Sequence, residues 1–83
     1  MSYSAIDGDI ADFLDSDPEP IEYETRALRS YLLNGGHSAE AVEETIASWQ
    51  RRDLFREINP PWVTFALTPS GATAVIELRD RAD

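Results

Sequence analysis

Few side chains in this chain have the chemistry of a catalyst. His37 is the single histidine and there is no cysteine, so the usual ligands of a zinc site are missing and no thiolate nucleophile exists. His37 follows Gly35-Gly36 and reads as a solvated turn histidine. Asp7-Gly8-Asp9 and Asp15-Ser16-Asp17 resemble cation loops only in their acids, because neither has the spacing, glycine and closing glutamate of a calcium loop. They read as a solvated acidic face. No glycine-rich phosphate loop occurs, and the serine and threonine hydroxyls lack a convincing base. We therefore expect no enzyme, no metal and no cofactor.

Charge remains as the other source of function. All seven basic residues are arginine, against sixteen Asp and Glu, for a formal net charge of −9. The balance resembles that of proteins from salt-accumulating halophiles. Residues 1–20 carry six acids and no base, whereas residues 21–83 carry ten acids and all seven arginines. Arg26 and Arg29, together with Arg51, Arg52 and Arg56, are candidates for a local positive edge. The competing reading has Arg51 and Arg52 complementing the negative end of a helix dipole, with Arg26 and Arg29 solvated or paired with Glu22 and nearby acids.

These residues depend on the elements that hold them. Eighty-three residues suit one domain with a single small core, burying about 60% of the unfolded surface. Hydrophobic residues make up 42% of the chain, so its acidity does not imply disorder. Ser4 and Asp7 have capping-box spacing, and Ile6, Ile10, Phe13 and Leu14 follow at helical intervals, which predicts a helix near 4–15. Ser16-Asp17-Pro18-Glu19-Pro20 ends it as a hinge or a tight loop. Ala27, Leu28, Tyr31 and Leu32 stripe a second helix over 21–33, closed by Asn34-Gly35-Gly36. Ser38 caps a third, with Val42, Ile46 and Trp49 on its apolar face.

After Asp53 the pattern turns to strands over 54–58 and 62–67, joined at Asn59-Pro60-Pro61. In the second strand Val63, Phe65 and Leu67 alternate with Trp62, Thr64 and Ala66. Thr68 as cap and Pro69 at the first helical position start a last helix, in which Ala72, Val75, Ile76 and Arg79 share a face.

Helix, glycine-containing turn, helix, hairpin and then Leu67-Thr68-Pro69-Ser70-Gly71 resemble winged helix-turn-helix regulators of the MarR and PadR type. The resemblance covers roughly residues 22–78. It implies an α+β fold, with three helices, a two-stranded β-hairpin wing and a C-terminal helix, and a third helix that enters the DNA major groove while the hairpin tip reaches along the backbone. Carried over, it places Ser38, Glu40, Glu43, Glu44 and Ser48 near base edges or phosphates, Gln50, Arg51 and Arg52 at the far end of the helix, and Asn59 at the wing tip. The residues pull the other way. Glu40, Glu43 and Glu44 should repel a duplex, and the Asn59-Pro60-Pro61 tip has no cation. In molar salt, with a Debye length of about 3 Å, that repulsion is screened.

Two functions follow. The first is a transcriptional regulator that binds double-stranded DNA as a homodimer, its subunits paired through the first and last helices. The second is a winged-helix interaction module that does not bind DNA and whose acidic surface meets a basic protein partner. Phe13, Trp62 and Val75 are the candidate protein-interface residues. Trp62 is equally consistent with capping the end of the core, and Trp49 reads as core. Nothing resembles a signal peptide or a membrane span, so the expected compartment is the cytoplasm.

Overall fold

Particular side chains and glycines set several of the helix ends among the described residues. The computed structural model describes residues 3–14 and 22–82, the last two by backbone alone. Helix α1 spans Ala5–Leu14. Asp7 Oδ2 accepts from the Ser4 amide at 2.8 Å and from Ser4 Oγ at 3.0 Å, which is the backward half of a capping box. Helix α2, Thr25–Asn34, closes with Gly36 at φ 95°, as the Gly36 amide donates to Leu33 O and the His37 amide to Leu32 O. Gly35 keeps a right-handed φ of −77°, so the left-handed residue of this Schellman turn is Gly36 alone.

Helix α3, Ala39–Arg51, begins with Ser38 Oγ accepting from the Ala41 amide at 3.1 Å. It closes by the same device, with Asp53 at φ 60°, Leu54 N donating to Trp49 O and Asp53 N to Gln50 O. Asp is one of the few non-glycine residues that tolerate this conformation. Helix α4, Pro69–Ala82, starts at Thr68, whose Oγ1 accepts from the Gly71 amide at 3.0 Å and donates to Asp53 O at 2.6 Å. A Cβ at Gly71 would lie 2.0 Å from Leu54 O. The glycine therefore lets α4 approach the α3–β2 junction.

The structure is α+β, with four helices and one three-stranded antiparallel sheet, and is compatible with a winged-helix-like fold. Strands β2, Phe55–Asn59, and β3, Thr64–Leu67, form the expected hairpin, with a register shift between Glu57 and Asn59. The difference from expectation is strand β1, Tyr23–Glu24, which pairs Tyr23 with Phe65 and Glu24 with Thr64, giving the order β1-β3-β2. Those two residues were expected to open the second helix. Tyr23 is instead held between α1 and β3: its hydroxyl donates to Leu14 O at 2.8 Å and its ring stacks on Phe65 at 5.6 Å. The turn expected at 16–20 lies outside the described residues.

Two further expectations are corrected. Trp62 and Val63 belong to the turn and not to β3, and the positive φ of Trp62, 59°, breaks the alternation. Trp62 packs against the core, as in the core-capping alternative, while Val63, expected on the same face as Phe65, is 55% exposed. On α4 the buried face is Gly71, Ala74, Val75 and Leu78, spaced i, i+3, i+4, i+7, whereas Ile76 is 59% exposed. Val75, expected at a subunit interface, is thus buried inside its own chain, in an α4 that packs chiefly on α1.

The core joins helices and sheet through aromatic rings. Trp49 meets Phe55 at 5.2 Å and Phe55 meets Phe65 at 4.2 Å, and the series continues through Tyr23 and Phe13 to Tyr31. Phe13 stands between Tyr23 and Tyr31 and is half-buried. Among the described residues no helix is long and apolar enough to cross a membrane.

Candidate functional site

Helix α3 buries Val42, Ile46 and Trp49 and turns Glu40, Glu44 and Arg51 to solvent. These three recur at i, i+4 and i+11, one stripe of a 3.6-residue helix. A cleft opens on either flank of that stripe. On one side, a cleft of about 430 Å³ lies between α2, α3 and the β2–β3 turn, and its lining includes Arg26, Arg29, Glu43, Gln50, Trp62 and Val63. On the other, a cleft of about 400 Å³ lies between the start of α1 and α3, and includes Tyr3, Asp7, Glu44, Ser48, Arg51 and Arg52. The arginines near α3 are thus divided into two pairs, each interleaved with acids.

In the first cleft Arg29 makes a two-point contact with Glu43, from Nε to Oε2 and from Nη2 to Oε1. The pair was foreseen in kind, with Glu22 as the named acid; the partner is Glu43, which the fold brings from the next helix. Bidentate geometry orients the guanidinium and pairs one glutamate of α3, with both side chains still open to solvent. Arg26 is exposed on the same wall. Trp62 is half-buried, its amide donating to Glu57 Oε2 at 2.7 Å.

In the second cleft Asp7 is an acceptor three times over. Trp49 Nε1 donates to its Oδ1 at 2.7 Å, while Ser4 supplies the two bonds to Oδ2. Its charge is turned inward, toward the indole, while Glu44, also in the lining, is exposed. The Arg52 guanidinium lies 5.5 Å from the centre of the Tyr3 ring, within cation–π range. Ser4 and Thr45 add hydroxyl groups to the wall.

The remaining sequence candidates do other work or stand apart. Ser38 is occupied as the α3 cap. Asn59 Nδ2 donates to Thr64 Oγ1 at 2.7 Å and so ties the hairpin. Arg56 is exposed on β2, paired in register with Ala66, and lines neither cleft.

His37 and Asp9 correct the sequence reading. Both were expected to be solvated, yet both are partly buried, with His37 Nε2 2.5 Å from Asp9 Oδ2. The contact ties the α2–α3 turn to α1. Among the described residues no group of three or more His, Cys, Asp or Glu is arranged to hold a metal.

Sequence reasoning missed Tyr3, Ser4 and Thr45 as cleft residues. Ser4 carried a capping signal only, and nothing local to Tyr3 points to an arginine at position 52. The chemistry on offer is recognition by guanidinium, hydroxyl and amide donors around an exposed helix. No family model, curated protein or solved structure matches the chain, so the case for fold and site rests on its own geometry.

Proposed function

We propose that this chain is a non-enzymatic winged helix-turn-helix protein, similar in plan to MarR and PadR regulators, and that it binds duplex DNA through the C-terminal half of α3. One observation carries the reading: the exposed stripe of α3 is flanked on both sides by clefts that contain arginines. A helix in the major groove has a phosphate strand on each side, so donors are needed on both flanks. Gln50 and Arg51 lie in the last turn of α3, where their side chains suit adenine and guanine edges respectively. Arg26 serves one strand, and Ser48 and Arg52 serve the other.

The acids of α3 fit this reading only in part. Glu43 is paired with Arg29, while Glu40 and Glu44 stand exposed toward the front of the helix. Docking by the back half keeps them farther from the phosphates, and high salt screens what repulsion remains.

Fluorescence anisotropy with genomic fragments across a potassium chloride series tests the reading. The wild-type chain is expected to bind, and Arg51→Ala/Arg52→Ala to bind more weakly with a salt slope reduced by about one to two. Absence of wild-type binding at every salt concentration that preserves the helical circular dichroism would reject it.

A second reading has its own support. The turn from Asn59 to Val63 carries no cation, and Val63 is 55% exposed beside Trp62. That tip suits an apolar protein contact better than a phosphate, with the acidic front of α3 available to a basic partner. In that case the wild type binds no duplex and Val63→Ser weakens partner capture.

A further inference from the structure

We infer that the cleft between α2, α3 and the β2–β3 turn binds a free α-amino acid with an apolar side chain, held by both of its charged groups. The inference goes beyond the DNA-binding reading and does not depend on it. The cleft measures about 430 Å³, within the range of small-molecule sites. Part of its lining is apolar, from Ile46, Ala47, Pro61, Trp62 and Val63, and part carries four charges, on Glu24, Arg26, Arg29 and Glu43. Two of these charges are settled on each other, since Arg29 and Glu43 are bonded at two points. Arg26 and Glu24 are both exposed, and among the described residues neither side chain has a hydrogen bond or an ion pair.

Their spacing keeps them apart. Glu24 is the N-cap of α2 and makes no side-chain capping bond, and Arg26 follows two positions on; residues so spaced do not face each other on a helix. A simple anion in the cleft would meet Glu24 unpaired, and a simple cation would meet Arg26. A ligand with a carboxylate and an ammonium on one carbon answers both, the carboxylate taking the fork of Arg26 and the ammonium Glu24. Thr25, between the two in sequence, adds a hydroxyl. It lines the cleft at 5% exposure, and its Oγ1 is a buried polar atom with no hydrogen-bond partner. An unpaired buried hydroxyl is costly, and threonine χ1 in a helix divides between two rotamers, so this one can turn to a carboxylate held by Arg26. The ligand's side chain then lies against Trp62 and the exposed Val63. Trp62 is tied in place by its amide, which donates to Glu57 Oε2 at 2.7 Å.

Titration of the full-length chain with L-phenylalanine and L-leucine tests the site, read by calorimetry and by tryptophan fluorescence. The chain has two tryptophans and Trp49 is fully buried, so Trp62 is the reporter of the cleft. Both amino acids are expected to bind. N-acetylphenylalanine and phenylalanine amide each lack one charge and stand for the last and first residues of a peptide; each is expected to bind about tenfold more weakly than phenylalanine. Arg26→Gln and Glu24→Gln are expected to weaken phenylalanine by a similar factor, whereas Glu77→Gln, an exposed charge on α4, leaves it unchanged. Thr25→Val is expected to weaken binding several-fold with a melting temperature equal to or above that of the wild type, because the unpaired hydroxyl is gone. A threonine with a structural role alone would change the melt and not the binding. Circular dichroism and thermal melts of every variant separate lost contacts from lost folding. The inference is overturned if the folded wild type binds neither amino acid to the limit of its solubility, or if either single-charge analogue binds as tightly as phenylalanine. It is equally overturned if Arg26→Gln, Glu24→Gln and Thr25→Val bind phenylalanine as Glu77→Gln does. None of these outcomes touches the DNA-binding reading, which the anisotropy series measures separately.

Discussion

Asp7 shows how one side chain can serve two levels of structure. Its carboxylate closes the first turn of α1 through Ser4 and also accepts the indole hydrogen of the fully buried Trp49. Removing it strips a cap and leaves a buried donor unpaired, two losses whose separate costs are each about 1 kcal/mol or more. Asp7→Ala is accordingly expected to lower unfolding stability by about 2 kcal/mol, and Ser4→Ala, which removes one hydroxyl bond, by less than about 1 kcal/mol. Urea denaturation of the two variants decides the point, because equal losses would mean that the Trp49 bond contributes nothing. The cap was readable from the three-residue spacing of Ser4 and Asp7. The indole was not, since Trp49 is 42 positions away and meets Asp7 only after α3 has docked on α1.

At the scale of elements, Thr68-Pro69-Ser70-Gly71 does more than begin a helix. Thr68 caps α4 with one lone pair and binds the carbonyl of Asp53 with its hydrogen, while its amide reaches Leu54 O. Gly71 then sits where a Cβ would lie 2.0 Å from Leu54 O. Backbone cannot yield as a flexible side-chain tip can, so Gly71→Ala forces α4 away from the α3–β2 junction. A loss of about 2–3 kcal/mol is expected, in the upper range for overpacking. A melting temperature for Gly71→Ala within about 2 °C of the wild type would contradict the close approach, since about 1 kcal/mol shifts the midpoint of a domain of this size by about 4–8 °C. The sequence carried the capping signal in full and the order of helices and hairpin with boundaries shifted by a few residues. It did not carry β1, because two residues have no periodicity of their own and Tyr23 becomes a strand only by pairing with Phe65.

For the whole molecule the dominant quantity is net charge. Sixteen acids against seven arginines give −9 on a chain of 83 residues, and self-repulsion of that kind opposes the compact state until salt screens it. Raising potassium chloride from about 0.1 to 1 M shortens the Debye length from about 10 to 3 Å. The melting temperature is therefore expected to rise across that range, even though screening also weakens exposed pairs such as Arg29 with Glu43. A melting temperature that falls with salt would show that attractive pairs outweigh the excess of acids. Composition alone supports this expectation, as charge count needs no coordinates. The sequence by itself likewise determined the caps, the glycine-closed turn, the apolar face of α3 and the hairpin, because each depends on residues a few positions apart. Only the tertiary structure decided which arginines stand together, that Val75 faces inward while Ile76 and Val63 face out, and that Tyr3 lies beneath Arg52. Those outcomes depend on how α1, α4 and the hairpin settle around α3, and a one-residue rotation of a helix or one positive φ at Trp62 is enough to reverse them.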